Sequence, residues 1–136
     1  MRRVVITGLG IVSCIGNNKE EVLTSLKGQT SGIRYIPEYE EAGFRSHIAG
    51  RPQISPDDHI DRKQRRFMGD SAAYSYIALK EAIADAGLSD DMVSSPRTGL
   101  IAGSGGASSS DIVEAVDTLR EKGIRRVGPY RVPRSM

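Results

Sequence analysis

Two short apolar runs, each opening directly into glycine, set the plan of this chain. Val4-Val5-Ile6-Thr7 leads into Gly8-Leu9-Gly10, and Thr98-Gly99-Leu100-Ile101-Ala102 leads into Gly103-Ser104-Gly105-Gly106-Ala107 and three further serines. Runs of this kind read as buried strands, and the glycines behind them as loops free to take positive φ or to let another molecule approach closely. Helical sequence follows both. Asn17 or Asn18 supplies a cap, Asn18 with Glu21 has the spacing of a capping box, Val22, Leu23 and Leu26 supply an apolar face, and Gly28 supplies a stop. After the second loop, Asp111 onward carries Ile112, Val113, Val116 and Leu119 and ends near Gly123. Between them the clearest helix runs from about Asp70 to Ala86, with Ala72, Tyr76, Leu79, Ile83 and Ala86 on one face and Gly87 as its stop. Strands alternating with helices predict the α/β class with a mostly parallel sheet. The stretch from Thr30 to Pro56, broken by glycines and prolines, predicts an irregular excursion with one or two brief strands.

The 136 residues, 38 % apolar and 26 % charged, suit one ordinary domain around one core. No apolar run approaches the about 20 residues that a membrane-crossing helix needs. The opening Met1-Arg2-Arg3-Val4-Val5-Ile6-Thr7 lacks the apolar stretch of a secretory leader, so a cytoplasmic location is expected. A single cysteine, Cys14, makes no internal disulfide and builds no structural zinc site, which fits a reducing compartment and gives no reason to expect a metal.

A net charge of +2 conceals segregation. Residues 61–66 carry +3 and residues 120–134 carry +5, leaving −6 for the rest. Such patches are either solvated faces or the meeting ground for an acidic partner. If helical, Arg62, Lys63 and Arg66 share one face and can grip carboxylates or phosphates together. Nucleic acid fits less well, because aromatic residues make up 5 % of the chain and none interleaves with this patch as a stacking platform requires.

Other motifs fall short on spacing. Gly8-Leu9-Gly10 invites a dinucleotide-binding reading, but the helix begins near Asn18 rather than at the glycines, and no strand ends in an acid about twenty residues on. Gly103-Ser104-Gly105-Gly106 lacks the Gly-Lys-Ser/Thr ending of a phosphate loop and is too tight for a serine-hydrolase elbow. Cys14 with His47 or His59 could form a nucleophile and base, yet a lone cysteine in an apolar stretch is more often simply packed.

Several segments, in order and at the right spacing, resemble the type I β-ketoacyl-acyl-carrier-protein synthases. They are Arg3-Val4-Val5-Ile6-Thr7-Gly8-Leu9-Gly10, Gly16-Asn17-Asn18, Ser31-Gly32-Ile33, Phe44-Arg45-Ser46-His47 and Ile60-Asp61-Arg62-Lys63. The series continues with Arg66-Phe67-Met68, Ala84-Asp85-Ala86-Gly87-Leu88, Gly99-Leu100-Ile101-Ala102-Gly103-Ser104-Gly105-Gly106 and Gly128-Pro129-Tyr130. Arg66-Phe67-Met68 followed by Asp70 and Ala72 favours type I over type II.

The resemblance implies a thiolase-like αβαβα fold working as a homodimer without a cofactor. Residues 1–136 would be an incomplete amino-terminal half of it, with no separate second domain. It implies decarboxylative condensation of an acyl thioester with malonyl-acyl-carrier protein in fatty-acid elongation. The family's nucleophilic cysteine, two histidines and lysine fall beyond residue 136, so no residue here carries over as catalytic and the chain alone is expected to be inactive. What carries over is binding. Arg62, Lys63 and Arg66 match one patch for the acyl carrier protein, in its acyl and malonyl forms, and Lys122 with Arg125 matches a second. Gly106 and Ala107 match the glycine-rich turn that borders the acyl pocket, and Met136 matches an acyl-pocket position near the subunit interface that reaches the neighbouring pocket. No nucleic-acid or membrane partner is expected. The alternative is a stand-alone module that uses the basic patches to bind a carrier protein or nucleic acid without chemistry.

Overall fold

The computed structural model describes residues 3–136. Its first helix, α1 (Lys19–Lys27), starts where the Asn18–Glu21 spacing predicts. The Asn18 side chain accepts the Glu21 amide at 2.9 Å, and Glu21 in turn accepts the Asn17 amide at 2.8 Å, so the reciprocal exchange reaches one residue further upstream than a standard capping box. At the other end Gly28 keeps a right-handed φ of −80°, and the left-handed residue is Gln29 at +52°. The Thr30 amide donates to Ser25 at 2.9 Å and the Gln29 amide to Leu26 at 3.3 Å, which closes the helix as a Schellman turn. Of the predicted apolar face only Val22 is buried; Leu23 and Leu26 are exposed.

The excursion contains two brief strands, as expected, and a helix that was not. β1 (Ile33–Tyr35) leads to α2 (Pro37–Glu41), which proline starts, and then to β2 (Ile48–Gly50). The strands pair antiparallel with Ile33 opposite Gly50 and Tyr35 opposite Ile48. Glycine is needed on both chains at one end of this pair, where Gly32 precedes Ile33 and Gly50 lies opposite it. A Cβ on Gly32 would lie 2.5 Å from the Cys14 carbonyl oxygen, and one on Gly50 would lie 2.9 Å from Cys14 Sγ. Cys14 is thus half-buried against the backbone at Gly32 and Gly50.

A short 3-10 turn, Pro56–Asp58, precedes α3 (Arg62–Arg65), and α4 (Asp70–Asp85) follows at once. The predicted stop at Gly87 is there: its φ is +64°, and the Leu88 amide donates to Ile83 at 3.2 Å. The predicted stripe needs one correction, because Ala73 is fully buried while Ala72 is exposed. The C-terminal half of the helix packs against the loop of residues 8–11 through Ala78, Ala82 and Ala86. A Cβ on Gly8 or Gly10 would collide with the carbonyl oxygens of Ala82 and Ala78. The Leu9 amide donates to Asp85 at 3.0 Å and the Ile11 amide to Glu81 at 2.8 Å. These loop donors already serve carboxylates, which disposes of the dinucleotide reading: the amides that would have held a phosphate face negative charge.

The chain continues through α5 (Asp90–Val93) to α6 (Ser109–Lys122), which begins two residues before the predicted start, is capped by Ser108 and is stopped by Gly123 at φ +78°. A 3-10 turn over Ile124–Arg126 and α7 (Arg131–Ser135) complete it. Two compact units result. One gathers the chain up to Ile54 with Ala78–Leu88, the other Ser55–Ile77 with Ser89–Met136.

The expected parallel sheet is not formed among the described residues. Val4–Thr7 and Thr98–Ala102 carry no ladder, and the one sheet present is the antiparallel pair β1–β2. Val4 is 93 % exposed, Ile6 90 % and Ile101 100 %. A strand exists only through neighbours that take its N–H and C=O groups, and these runs have none. Thr98 instead closes the turn after α5, donating through Oγ1 to the Met92 carbonyl at 2.6 Å.

Candidate functional site

The first basic patch is organised by α3. Ile60 is buried ahead of it, and the Asp61 carboxylate accepts the Lys63 amide at 2.8 Å, which fixes the first turn. Arg62, Lys63 and Arg66 follow in right-handed backbone and are all exposed. Among the described residues no acidic side chain comes within ion-pairing distance of Arg62 or Lys63. Arg65, in the same run, is a different kind of residue. It pairs with Asp57 at 2.9 Å and with Asp70 at 2.7 Å and donates to the Met68 carbonyl, so its charge is consumed in tying α3 to its surroundings. Sequence spacing could not separate Arg65 from its neighbours; the flanking acids at 57 and 70 were the available signal.

Arg66 is held by aromatics. Its guanidinium lies 4.9 Å from the Phe67 ring and 4.8 Å from that of Tyr130, and the two rings meet edge to face at 4.9 Å. A cleft of about 470 Å³ is lined by Asp57, Ile60, Arg62, Arg65, Arg66 and Arg134. Arg65 and Arg134 are committed to carboxylates, and Arg62 and Arg66 are the guanidinium groups that the cleft can offer to an anionic group.

Lys122 and Arg125 form the second patch. Lys122 ends α6, where a cation complements the exposed carbonyls of the last turn, and Gly123 swings the chain into the 3-10 turn that carries Arg125. Both are exposed and, among the described residues, unpaired.

Of Gly106, Ala107 and Met136, the last two are linked through one backbone bond, and Gly106 lies one residue further along the turn. The Ser108 amide donates to the Ser135 carbonyl at 3.0 Å, so Ala107 and Met136 flank that link on either side. The glycine-serine turn has no packing of its own: a Cβ at Gly103, Gly105 or Gly106 would meet nothing within 4 Å. Beneath it lies a cluster that sequence reasoning missed. Asp111, 5 % exposed, pairs with Arg134 at 2.7 Å, and Glu114 pairs with Arg131. The Arg131 hydrogen bond is the main reason that the Glu114 carboxyl sits below its ordinary value, and it raises Arg131 in return. Ser108 and Asp111 at a capping spacing, with Arg131 and Arg134 three apart, were the only sequence hints.

Over its entire length, residues 1–136, the chain matches the family described as β-ketoacyl synthase, N-terminal domain. It belongs to the β-ketoacyl synthase family and represents the amino-terminal part of that fold. It is 54 % identical to the 3-oxoacyl-[acyl-carrier-protein] synthase 1 of Haemophilus influenzae and 49 % identical to that of Escherichia coli; each match covers all of this chain and 34 % of the relative. The chain therefore spans about a third of the length of these curated relatives. Among solved structures, the ishigamide ketosynthase/chain length factor superposes with a TM-score of 0.82 at 29 % identity, over 99 % of this chain and 34 % of its own. Among the described residues no helix is long and apolar enough to cross a membrane.

Proposed function

We propose that the intact protein is a type I 3-oxoacyl-[acyl-carrier-protein] synthase, an acyltransferase of fatty-acid elongation, and that residues 1–136 supply its binding surfaces. The observation that carries this reading is identity of 54 % over the whole chain to a relative of that name. A stand-alone binding module is not favoured, since the match runs through the apolar and glycine-rich segments as well as through the basic patches.

In this reading an acyl group passes from carrier protein to an enzyme cysteine by thioester exchange, releasing the carrier thiol. A malonyl thioester then loses carbon dioxide, and the resulting carbanion attacks the acyl-enzyme, forming the carbon–carbon bond and freeing the cysteine. Cys14, walled in by Gly32 and Gly50, takes no part, and the reacting groups belong to the part of the family's length that this chain does not span. The exposed runs Val4–Thr7 and Thr98–Ala102 are strands whose neighbours belong there too. The protein acts as a cytoplasmic homodimer and needs no cofactor.

Arg62, Lys63 and Arg66, with Lys122 and Arg125, receive the acidic carrier protein. Their charges mainly raise the encounter rate and fix orientation. Gly106, Ala107 and Met136 border the acyl chain; the open space around Gly106 leaves its size free to be set by the ligand rather than by packing.

The test exploits the difference between paired and unpaired cations. Arg62→Glu and Lys63→Glu remove charges that hold nothing else in place, whereas Arg66→Glu also breaks an aromatic stack. In the intact protein the double variant should lose about tenfold or more in kcat/KM on carrier-linked substrate, with a weaker salt dependence, and keep its rate on a small soluble thioester. Equal loss on both substrates would refute the docking assignment.

A further inference from the structure

The Asp111 cluster does more than join two helices. Asp111 Oδ1 lies 2.7 Å from Arg134 and 4.0 Å from Arg131, and its Oδ2 accepts the Ser108 hydroxyl at 2.6 Å. Gly69 closes the remaining side: a Cβ there would stand 2.5 Å from the Arg134 carbonyl oxygen, 3.2 Å from Asp111 Oδ2 and 3.3 Å from Ser108 Cβ. Among the described residues, Arg131 Nη1 and Arg134 Nε are buried without a hydrogen-bond acceptor; Asp111 is the buried carboxylate that faces both arginines, and the more exposed Glu114 pairs with Arg131 from outside. Breaking such a buried arrangement at one partner leaves uncompensated charge and forces the elements apart.

What the cluster fastens is specific. The turn of residues 103–107 lacks contacts of its own, and its fixed end is Ser108, held through its amide by Ser135 and through its hydroxyl by Asp111. Ser135 is followed by Met136 and preceded by Arg134. We infer that Asp111, with Arg131 and Arg134, is a positioning residue that fixes both the Gly106–Ala107 turn in its acyl pocket and Met136 where it reaches the neighbouring one. The inference rests on the proposed function, in which those three residues border the acyl chain. It adds that chain-length selectivity is controlled from a buried ion cluster one layer behind the pocket, on side chains that never meet the substrate. A border displaced by a fraction of an ångström changes which chains fit while leaving the reacting groups alone.

The experiment compares the intact wild-type protein with Asp111→Asn. Hydrogen exchange should quicken about tenfold or more in residues 103–110 and 131–136 and stay unchanged elsewhere. The ratio of kcat/KM for a long to a short acyl thioester, presented on the same carrier, should shift several-fold while kcat on the preferred chain holds. Faster exchange with an unaltered ratio would make the cluster merely structural and overturn the inference, as would exchange that does not change. Should Asp111→Asn fail to fold, Arg131→Lys, which retains the closer Arg134 pair, should give the same two shifts in smaller measure. Wild-type protein lacking condensing activity would instead overturn the function on which the inference rests, an outcome read from the wild type alone.

Discussion

At the scale of single residues, chemistry in this chain depends on what each side chain is already committed to. Arg65 and Arg62 are three positions apart on one short helix, yet Arg65 is spent on Asp57 and Asp70 and Arg62 is free to meet a partner. Gln29 shows the same point for the backbone. It holds φ +52° although Gly28 stands next to it, and left-handed backbone costs an L residue about 1–2 kcal/mol. Glycine loses part of that gain through its greater freedom when unfolded. Gln29→Gly should therefore stabilise the protein by about 0.5–1 kcal/mol, seen as a higher urea midpoint at unchanged slope. An unchanged or lower midpoint would mean that the exposed Gln29 side chain contributes something its contacts do not reveal.

At the scale of elements, the three longer helices were legible because their signals are local. Asn18 with Glu21, Gly87 and Gly123 punctuate α1, α4 and α6, and punctuation needs no distant partner. Strands were not legible in the same way, since a ladder depends on whichever segment lies alongside. Val4–Thr7 and Thr98–Ala102 have strand composition and no ladder. Nor was α7 foreseen: Arg131-Val132-Pro133-Arg134-Ser135 has little helical pattern, and it is fixed by ion pairs from α6. Of the candidate site, the unpaired cations could be read from charge spacing and family likeness, while the Asp111 cluster could not, because its ion pairs join residues 17 or more positions apart. The α6–α7 junction has a pH signature. Glu114 titrates below its ordinary 4.5 because of Arg131, so the folded state favours the charged form. That contribution is complete above the unfolded value and is lost as pH falls through the folded one. Asp85, lowered from 3.8 by Lys19 and the Leu9 amide, acts in the same direction. Between about pH 6 and about pH 3, wild-type protein should lose more stability than Glu114→Gln, with the two curves converging at the acid end. Parallel melting curves over that range would show that the pair adds nothing.

At the scale of the whole molecule, the two basic patches, the open glycine-serine turn and the exposed strand-like runs belong to one account. In the proposed function the charges would bring an acidic carrier to the surface, the turn would border what the carrier delivers, and the runs would be the edges along which the rest of the family's length pairs. The measurement that bears on this most directly is condensation by the intact protein. Incubated with acyl-carrier protein and malonyl-carrier protein, it should release carbon dioxide and leave a carrier bearing the 3-oxoacyl chain, identified by intact mass. A folded protein that binds the carrier and leaves both substrates unchanged would contradict the account and reduce these surfaces to a binding module.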